Sequence, residues 1–346
     1  STNTNTVPQS ISEVGVFKFS AKPPASYLGS SFYNIPLAQS ANMGRFVPDR
    51  FVVSGVSVLP ACGVFSYMDQ PFPLAMNISA FNTFSSVTQN YQNSFAKGTA
   101  QLVAENSNNG VELSNRLSSL PVNAASWVAG VASVDASYRA KFARSIAPNV
   151  DGPFNMLDIG VKVFDNDTNI AFVADPDMRA DTTGNCTTPT NTCTAKRIST
   201  QDLRHGRVLM DNTYGPENEI LRMPTYAQYW NGSQWLLNPS DNCSVINGSL
   251  SGTETYTPAK ATAETVTRTS NSSTVFAGKG LLLWQNTGVQ KYRGQVNAPL
   301  IVDSWLQWYW NYDTSLPNLL VNPQASAFFG RYRGHDRIIY WQEVRN

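Results

Sequence analysis

A dense group of aromatic residues near the carboxyl end offers the clearest chemistry in this sequence. The first group consists of Trp305, Trp308, Tyr309, Trp310 and Tyr312, and a second group upstream consists of Tyr229, Trp230 and Trp235. The flat faces of such rings stack on sugar rings, so an exposed row of them predicts carbohydrate binding. The alternative is that these rings belong to the core, where large aromatics bury much apolar area. In a strand, alternation would place Trp308 and Trp310 on the same face.

A second signal is a run of oxygen-bearing side chains that could surround a hard cation. Asp165, Asp167 and Asn169 occupy alternate positions of one loop, and Ca²⁺ prefers carboxylate and amide oxygens as ligands. The run lacks the central glycine and the closing glutamate of an EF-hand loop. The alternative is an ordinary turn, which Asp and Asn favour. Calcium is therefore the one cofactor considered, and otherwise none is expected.

Residues suited to acid–base or covalent catalysis are sparse. The chain has two histidines and lacks the nucleophile-elbow, zinc-protease and phosphate-loop motifs. His205 lies between Arg204 and Arg207, and close approach of either cation would lower its pKa. Asp202 and Asp211 are the carboxylates nearest to it along the chain. We therefore expect a protein that is not an enzyme.

The four cysteines point to disulfides. None belongs to a Cys-x-x-Cys pair, which disfavours zinc-ribbon and thioredoxin-type sites. Cys186 and Cys193 bracket a polar loop without apolar residues, so a disulfide between them is the simplest way to order it. Cys62 and Cys243 would then pair by elimination. An even cysteine count in polar surroundings favours an oxidising compartment, and the alternative is four free thiols in a cytosolic protein.

Composition limits the partners. Charged residues make up 14% of the 346 residues and the net charge is +1, whereas an average soluble domain has about 25% charged residues. No basic stripe suitable for nucleic acid is present, so no nucleic-acid partner is expected. No apolar run is long enough for a transmembrane helix, so no membrane span is expected. The polar surface is rich in Ser, Thr, Asn and Gln, which is common in secreted surface proteins.

The elements that must position these residues are predicted to be strands. Apolar and polar residues alternate over 133–142 and 157–163, which predicts two adjacent antiparallel strands. One helix is predicted near 110–120, where Pro121 would end it. Shorter strands are predicted at 51–58, 74–81, 207–210, 219–223, 274–277 and 280–284.

Many short strands with turn residues between them indicate an all-β protein of antiparallel β-sandwich domains, two in number, with long polar loops. The predicted organisation is a strand and linker region over 1–44, a first sandwich over 45–185 and a second over 186–346. Residues 165–200 and 247–273 are the long loops. The second sandwich is closed by a carboxyl-terminal hairpin, with strands at 325–332 and 337–344.

Several blocks of the sequence resemble MshQ-type proteins, which are named for the biogenesis cluster of the mannose-sensitive haemagglutinin, a bacterial type IV pilus. The most specific block is the hairpin itself, FGRYRGHDRIIYWQEV over 329–344. Further blocks occur in the same order as in that family: GRFVPD at 44–49, CGVFSYMDQPF at 62–72, DGPF at 151–154, RHGR at 204–207 and DNC at 241–243. Together they resemble the carboxyl-terminal module of the family over nearly the whole chain.

The resemblance implies a protein exported through the periplasm to the cell surface or the medium. It further implies association with a type IV pilus, as an adhesin or as a minor structural or tip component. The expected partners are pilus subunits or other surface proteins, and host or surface glycans if the aromatic groups form a carbohydrate-binding module.

Overall fold

A computed structural model of the chain describes residues 6–22, 24–26, 28–30, 36–145, 149–167, 170–171, 173–186, 192–249, 252–312 and 319–330. Within these ranges the protein is all-β, built mainly from antiparallel sheets, and contains no α-helix. No helix in the described ranges has the length and apolarity needed to cross a membrane.

The strands are β1 (Gly15–Phe17), β2 (Ser20–Ala21), β3 (Ala38–Gln39), β4 (Met43–Phe46), β5 (Arg50–Val58), β6 (Ser66–Tyr67), β7 (Phe72–Phe81), β8 (Gly98–Asn106), β9 (Val111–Glu112), β10 (Trp127–Val128), β11 (Val131–Val134), β12 (Arg139–Ala140), β13 (Phe154–Asp165), β14 (Ile170–Ala171), β15 (Lys196–Arg204), β16 (Gly206–Met210), β17 (Thr213–Gly215), β18 (Leu221–Trp230), β19 (Trp235–Leu237), β20 (Thr255–Thr257), β21 (Val266–Ser270), β22 (Lys279–Asn286), β23 (Gly294–Pro299) and β24 (Gln324–Phe329). Short 3-10 turns lie at Asn93–Phe95, Ser114–Arg116, Ala124–Ser126 and Ser304–Leu306.

The chain divides into two compact units, each assembled from several segments. Unit 1 comprises residues 1–59, 71–142 and 156–201, and unit 2 comprises 60–70, 143–155 and 202–346. The division expected from the sequence was contiguous, whereas here two segments from the first half of the chain belong to unit 2.

Unit 1 is organised around two sheets. In one, β7 pairs with β5, β11 and β12, and in the other β13 lies between β15 and β8. Alternate residues of β7, which contains the strand predicted at 74–81, are buried, because successive side chains of a strand point to opposite faces. The rings of Phe51, Tyr91 and Trp127 pack on one another in this core.

Unit 2 is a second pair of sheets that encloses its own core. One sheet has the order β16-β18-β22-β21 with β19 on β18, and the other has the order β17-β24-β23-β20. Alternating residues from both sheets form one buried apolar cluster, which includes Val208, Met223, Trp284 and Phe329. β24 is central in its sheet, parallel to β17 and antiparallel to β23. It covers most of the first predicted hairpin strand and ends before Gly330, which is in a turn; the hairpin from residue 331 onward lies outside the described residues.

Gly206, the first residue of β16, is a place where only glycine fits. A Cβ built there would lie 2.4 Å from the ring of Tyr67, which is fully buried. Such a contact is far shorter than atoms tolerate, so the close approach of the segment 60–70 to β16 requires the missing side chain.

Three sequence predictions are wrong. Residues 133–142 are not one strand, because the Asp135 carboxylate accepts a hydrogen bond from the Ser137 backbone N–H and turns the chain. The strands on either side, β11 and β12, pair with β7 and not with β13, whose antiparallel partner is β8. The predicted helix at 110–120 is replaced by β9 and a 3-10 turn, because Leu113 N–H bonds to Ala104 of β8.

The shorter predicted strands have mixed outcomes. Those at 51–58, 74–81, 207–210 and 280–284 are confirmed as β5, β7, β16 and β22. The strand predicted at 219–223 begins later, at Leu221, and continues to Trp230. The segment 274–277 forms only isolated bridges, at Thr274 and Phe276.

Candidate functional site

The candidate site is built around Arg207, on the face of β16 that points away from the unit 2 core. Val208 and Met210 are buried in that core, so alternation directs the Arg207 side chain to the opposite face. Arg207 pairs with Gln228 across the β16–β18 ladder. Its Nε donates a 2.9 Å hydrogen bond to the Gln228 side-chain oxygen, which fixes the plane of the guanidinium.

Three indole rings surround this guanidinium. Its central carbon lies 4.2 Å from the ring centroid of Trp235, 4.9 Å from that of Trp310 and 6.0 Å from that of Trp308. A cation this close to an aromatic face is attracted by the ring quadrupole. Burial lowers the pKa of Arg207 to about 10, so the side chain stays charged at neutral pH and the attraction persists.

The rings also contact one another. Trp235 and Trp308 meet edge to face with centroids 4.7 Å apart, whereas Trp310 and Tyr312 are nearly parallel, 6.2 Å apart. We call Arg207, Trp235, Trp308, Trp310 and Tyr312 the Arg207 cluster. Its indoles are partly exposed, and Tyr312 is 45% exposed. The cluster therefore presents aromatic surface to solvent while its interior is held by one cation.

Arg144 binds the backbone of the segment that leads to Trp308 and Trp310. The Arg144 guanidinium is almost fully buried, forms a 2.9 Å ion pair with Asp69 and donates to the carbonyls of Ser304 and Gln307. Burial lowers the pKa of Arg144, and the nearby Asp69 opposes that effect. A buried charge with this many partners fixes the backbone that it binds.

The aromatic residues that the sequence indicates as binding candidates lie in different surroundings. Trp308 and Trp310 both lie against Arg207, although neither belongs to a strand and alternation therefore does not apply to them. Trp230 touches the cluster through Trp235, at 5.8 Å between centroids. Trp305 and Tyr229 instead pack against the unit 2 core. Both readings of the sequence, core and surface, therefore apply to different members of the group.

His205 lies buried beneath this cluster. Its ring is 5.9 Å from Trp235 and 5.6 Å from Trp308, both edge to face. The carboxylate that approaches it is Asp151, 4.0 Å from Nδ1. Burial lowers the pKa of His205, and the nearby Arg144 adds to this, whereas Asp151 opposes it.

This arrangement corrects the surroundings expected for His205. Asp202, two residues from Arg204, forms a 2.7 Å ion pair with that arginine instead. Arg204 itself lies over the rings of Phe65 and Tyr229. The charged groups that act on His205 are thus distant in sequence, and burial contributes more to its lowered pKa than any cation does.

Both expected disulfides are present. Cys62 and Cys243 are linked with their Cα atoms 5.8 Å apart, and Cys186 and Cys193 with theirs 5.1 Å apart. Asp241, fully buried, lies beside the first disulfide. Its carboxylate accepts hydrogen bonds from the Tyr67 and Ser244 hydroxyls and from two backbone N–H groups, at 2.6–3.0 Å.

The Tyr67–Asp241 pair joins the segment 60–70 to the rest of unit 2. Burial raises the pKa of Tyr67 well above its ordinary value, and the Asp241 charge reinforces this, so the phenol stays a donor. The two sulfurs and the Asp241 carboxylate are close enough to hold a metal ion, but disulfide sulfurs are not the thiolates that metals bind. The group of Cys62, Asp241 and Cys243 therefore stabilises the fold, and does not bind a metal, while the disulfide is intact.

The residues considered for calcium are at the end of β13. The buried carboxylate of Asp165 accepts a 2.6 Å hydrogen bond from Tyr91 and another from the Asp167 N–H. The Asp167 side chain forms a 2.6 Å ion pair with Arg45. Asn169 lies outside the described residues. The two described carboxylates thus have protein partners of their own, and calcium binding stays a prediction.

Comparison with known protein families covers most of the chain. The third domain of DUF6701 matches residues 13–193, and the fourth domain of DUF6701 matches residues 204–344. No curated protein sequence matches the chain.

Matches among solved structures include domains 4 and 5 of the S-layer protein SbsC, with 7% identity and a TM-score of 0.22 over 80% of this chain and 98% of that one. The I9–I11 tandem of titin has 9% identity and a TM-score of 0.24 over 79% of this chain and 65% of that one. Domains 5–6 of SbsC have 8% identity and a TM-score of 0.18 over 81% of this chain and 100% of that one. With TM-scores this low, these similarities carry no argument about function.

Proposed function

The chain belongs to the DUF6701 family, and on that premise we propose that it is a non-enzymatic protein of the cell surface that acts in a type IV pilus system. Its role there is that of an adhesin or of a minor structural component of the filament.

The observation that carries the proposal is the pair of disulfides in an all-β chain. One links Cys62 to Cys243 and the other Cys186 to Cys193. Disulfides persist in the periplasm and on cell surfaces, whereas cytosolic thiols are kept reduced. The low charged fraction, 14%, agrees with a surface that relies on neutral polar side chains. Both features support export.

The side chains best suited to chemistry are already engaged in holding the structure. His205 is buried against Trp235 and Trp308, and Asp241 accepts four hydrogen bonds. Arg207 is enclosed by indoles. A catalytic group must instead reach a substrate in a cleft, so these roles support a binding or structural function.

The pilus association rests on the sequence blocks shared with MshQ-type proteins. Two of them supply residues of unit 2 that the packing around Tyr67 or a disulfide requires. The block CGVFSYMDQPF contains Cys62 and Tyr67, and the block RHGR contains Gly206, whose missing side chain admits the Tyr67 ring. Similar residues at such positions support a common fold with that family. They thereby also support a common association with a type IV pilus.

The experiment is recovery of the protein with sheared filaments. Pili are sheared from cells that produce the protein, purified by sedimentation and analysed by mass spectrometry. The proposal predicts that the protein sediments with the filaments and that it disappears from this fraction in cells without the major pilin. Recovery of equal amounts from pilin-deleted cells, or its retention in the cytosolic fraction, would contradict the pilus association.

Carbohydrate binding is a second candidate function, and it is compatible with the first. The partly exposed indoles of the Arg207 cluster favour it. However, the faces of Trp235 and Trp310 are occupied by the Arg207 guanidinium, so a sugar would need aromatic surface elsewhere in the cluster.

A further inference from the structure

A cavity in unit 2 opens beside the Arg207 cluster at Tyr312. Its volume is about 290 Å³, and the Tyr312 ring forms part of its wall. Pro299, Leu319 and Val321 supply the apolar surface. This volume is just below the usual range for small-molecule sites, which is about 300–1,000 Å³.

The polar groups that the described residues contribute to the cavity are neutral. Asn311, Asn322 and Gln324 line it together with Tyr312, and no Asp, Glu, Lys, Arg or His is among the described residues that do so. Burial raises the pKa of Tyr312 above its ordinary value, so the phenol is uncharged at physiological pH. Among these described residues a charged ligand would meet no counter-charge, whereas the hydroxyls of a neutral polyol would meet hydrogen-bonding partners.

The Tyr312 ring is held in place from two sides. Its hydroxyl accepts a hydrogen bond from the Gln324 backbone N–H at 3.0 Å and donates to the Gln324 carbonyl at 3.3 Å. Trp310 lies nearly parallel to it, with ring planes 18° apart. A ring fixed before the ligand arrives loses little conformational freedom on binding.

The amide side chains retain hydrogen-bonding capacity for a ligand. The Asn322 oxygen accepts from Val302 N–H and from the Gln307 side chain, both at 3.1 Å, which orients the group. Its Nδ2, which carries two donors, makes no hydrogen bond within the described part of the chain. The same holds for the side chains of Asn311 and Gln324 in that part of the chain.

We propose that this cavity binds a neutral saccharide, with one face of the sugar against Tyr312 and its hydroxyls bonded to the amides of Asn311, Asn322 and Gln324. Sugar rings have an apolar C–H face and a rim of hydroxyls, and each hydroxyl both donates and accepts. Planar amides match that rim because each offers a donor and an acceptor. The inference rests on the proposed role at the cell surface and names the ligand class for it.

The test is a glycan array that contains neutral and acidic glycans, followed by titration calorimetry with the best neutral hit. The purified, oxidised chain is expected to bind neutral glycans. Tyr312→Ala should weaken that binding by about tenfold or more, because an aromatic contact and its desolvated surroundings are lost. Asn311→Gly should weaken it less, by removing one amide while keeping a residue that accepts the positive φ of 51° at this position.

The matched control is Tyr214→Ala. Tyr214 is 46% exposed, compared with 45% for Tyr312, and it stacks on Phe328 in the same unit. Its loss should leave glycan affinity unchanged. Near-ultraviolet circular dichroism verifies that each variant is folded, and Asn311→Gly keeps the proposal testable if Tyr312→Ala does not fold.

The inference is overturned if the folded wild type binds no glycan, if it binds only acidic glycans, or if Tyr214→Ala weakens binding as much as Tyr312→Ala. These outcomes leave the surface role untouched, because recovery with sheared filaments is measured separately. Conversely, neutral-glycan binding that depends on Tyr312 in a protein absent from the filaments would support the cavity and contradict the pilus association.

Discussion

Replacing Arg207 with alanine is expected to destabilise unit 2 by about 2–5 kcal/mol. The guanidinium lies 4.2 Å from the Trp235 centroid and 4.9 Å from that of Trp310, and each such contact contributes about 0.5–2 kcal/mol as desolvation increases. Its hydrogen bond to Gln228 adds about 1 kcal/mol or more, because the donor is charged. Trp235 and Trp310 would lose the cation that both of them contact, so their packing should change as well.

The assay is urea denaturation followed by tryptophan fluorescence. Of the 8 tryptophans, all except Trp127 belong to unit 2, so the signal reports mainly on that unit. Arg207→Lys should have an intermediate effect, because lysine keeps the charge but lacks the planar group that stacks between rings.

The matched control is Arg222→Ala, which removes an exposed arginine from the neighbouring strand β18. Its effect should stay within about 0.5 kcal/mol, as for most surface substitutions. The reasoning is refuted if Arg207→Ala is no more destabilising than Arg222→Ala, or if Arg207→Lys is indistinguishable from the wild type.

Three further predictions concern the buried groups of unit 2. His335, the other histidine of the chain, is replaced by glutamine in every variant so that His205 is the one histidine that titrates. The free energy of unfolding should then fall as the pH drops below 6.5, the ordinary pKa of histidine. Burial depresses the pKa of His205, so the unfolded chain takes up the proton first; His205→Gln should flatten this slope in urea titrations at pH 5–7, and an unchanged slope would be contrary to it. Replacing Cys62 and Cys243 by alanine should destabilise unit 2 by up to about 5 kcal/mol, since this disulfide joins residues 181 positions apart; a loss under about 1 kcal/mol in denaturant would argue against that. Asp241→Asn should cost about 2–4 kcal/mol, because an amide replaces one of two accepting oxygens with a donor; an unchanged melting temperature would count against this role.

Strands with strong alternation could be predicted from the sequence. The apolar positions of β7 and β13 repeat every second residue, and both strands are found where the pattern indicated. The pattern gives the faces of a strand but not its neighbour. Alternation alone therefore suggests that 133–142 and 157–163 are adjacent strands, whereas their partners are β7 and β8.

Local side-chain hydrogen bonds account for the other errors. Asp135 caps a turn through Ser137 N–H, a competition with the ladder that alternation does not reveal. The apolar spacing of 110–120 suits a helix, but bonds from Leu113 and to Ser114 tie the segment to Ala104 of β8. Tertiary hydrogen bonds thus decided between two conformations that the local sequence permits.

The candidate site was only partly predictable. The sequence points to Trp308, Trp310 and Trp235 as candidate binding aromatics, but to Arg207 only as a neighbour of His205. Its position between Gly206 and Val208 on an alternating strand shows that it points away from the core, and nothing local shows which rings it meets. Trp235 and Trp310 reach it from separate segments, so the cluster is a product of the tertiary fold.

The central claim, that this DUF6701 protein is displayed outside the cell, is tested most directly by antibody labelling of intact and permeabilised cells. A polyclonal antibody against the purified chain is applied to unfixed cells, with a cytosolic protein as the control for intactness. The account predicts that intact cells label as strongly as permeabilised ones, with the label on or near pilus filaments. Labelling that requires permeabilisation would contradict it.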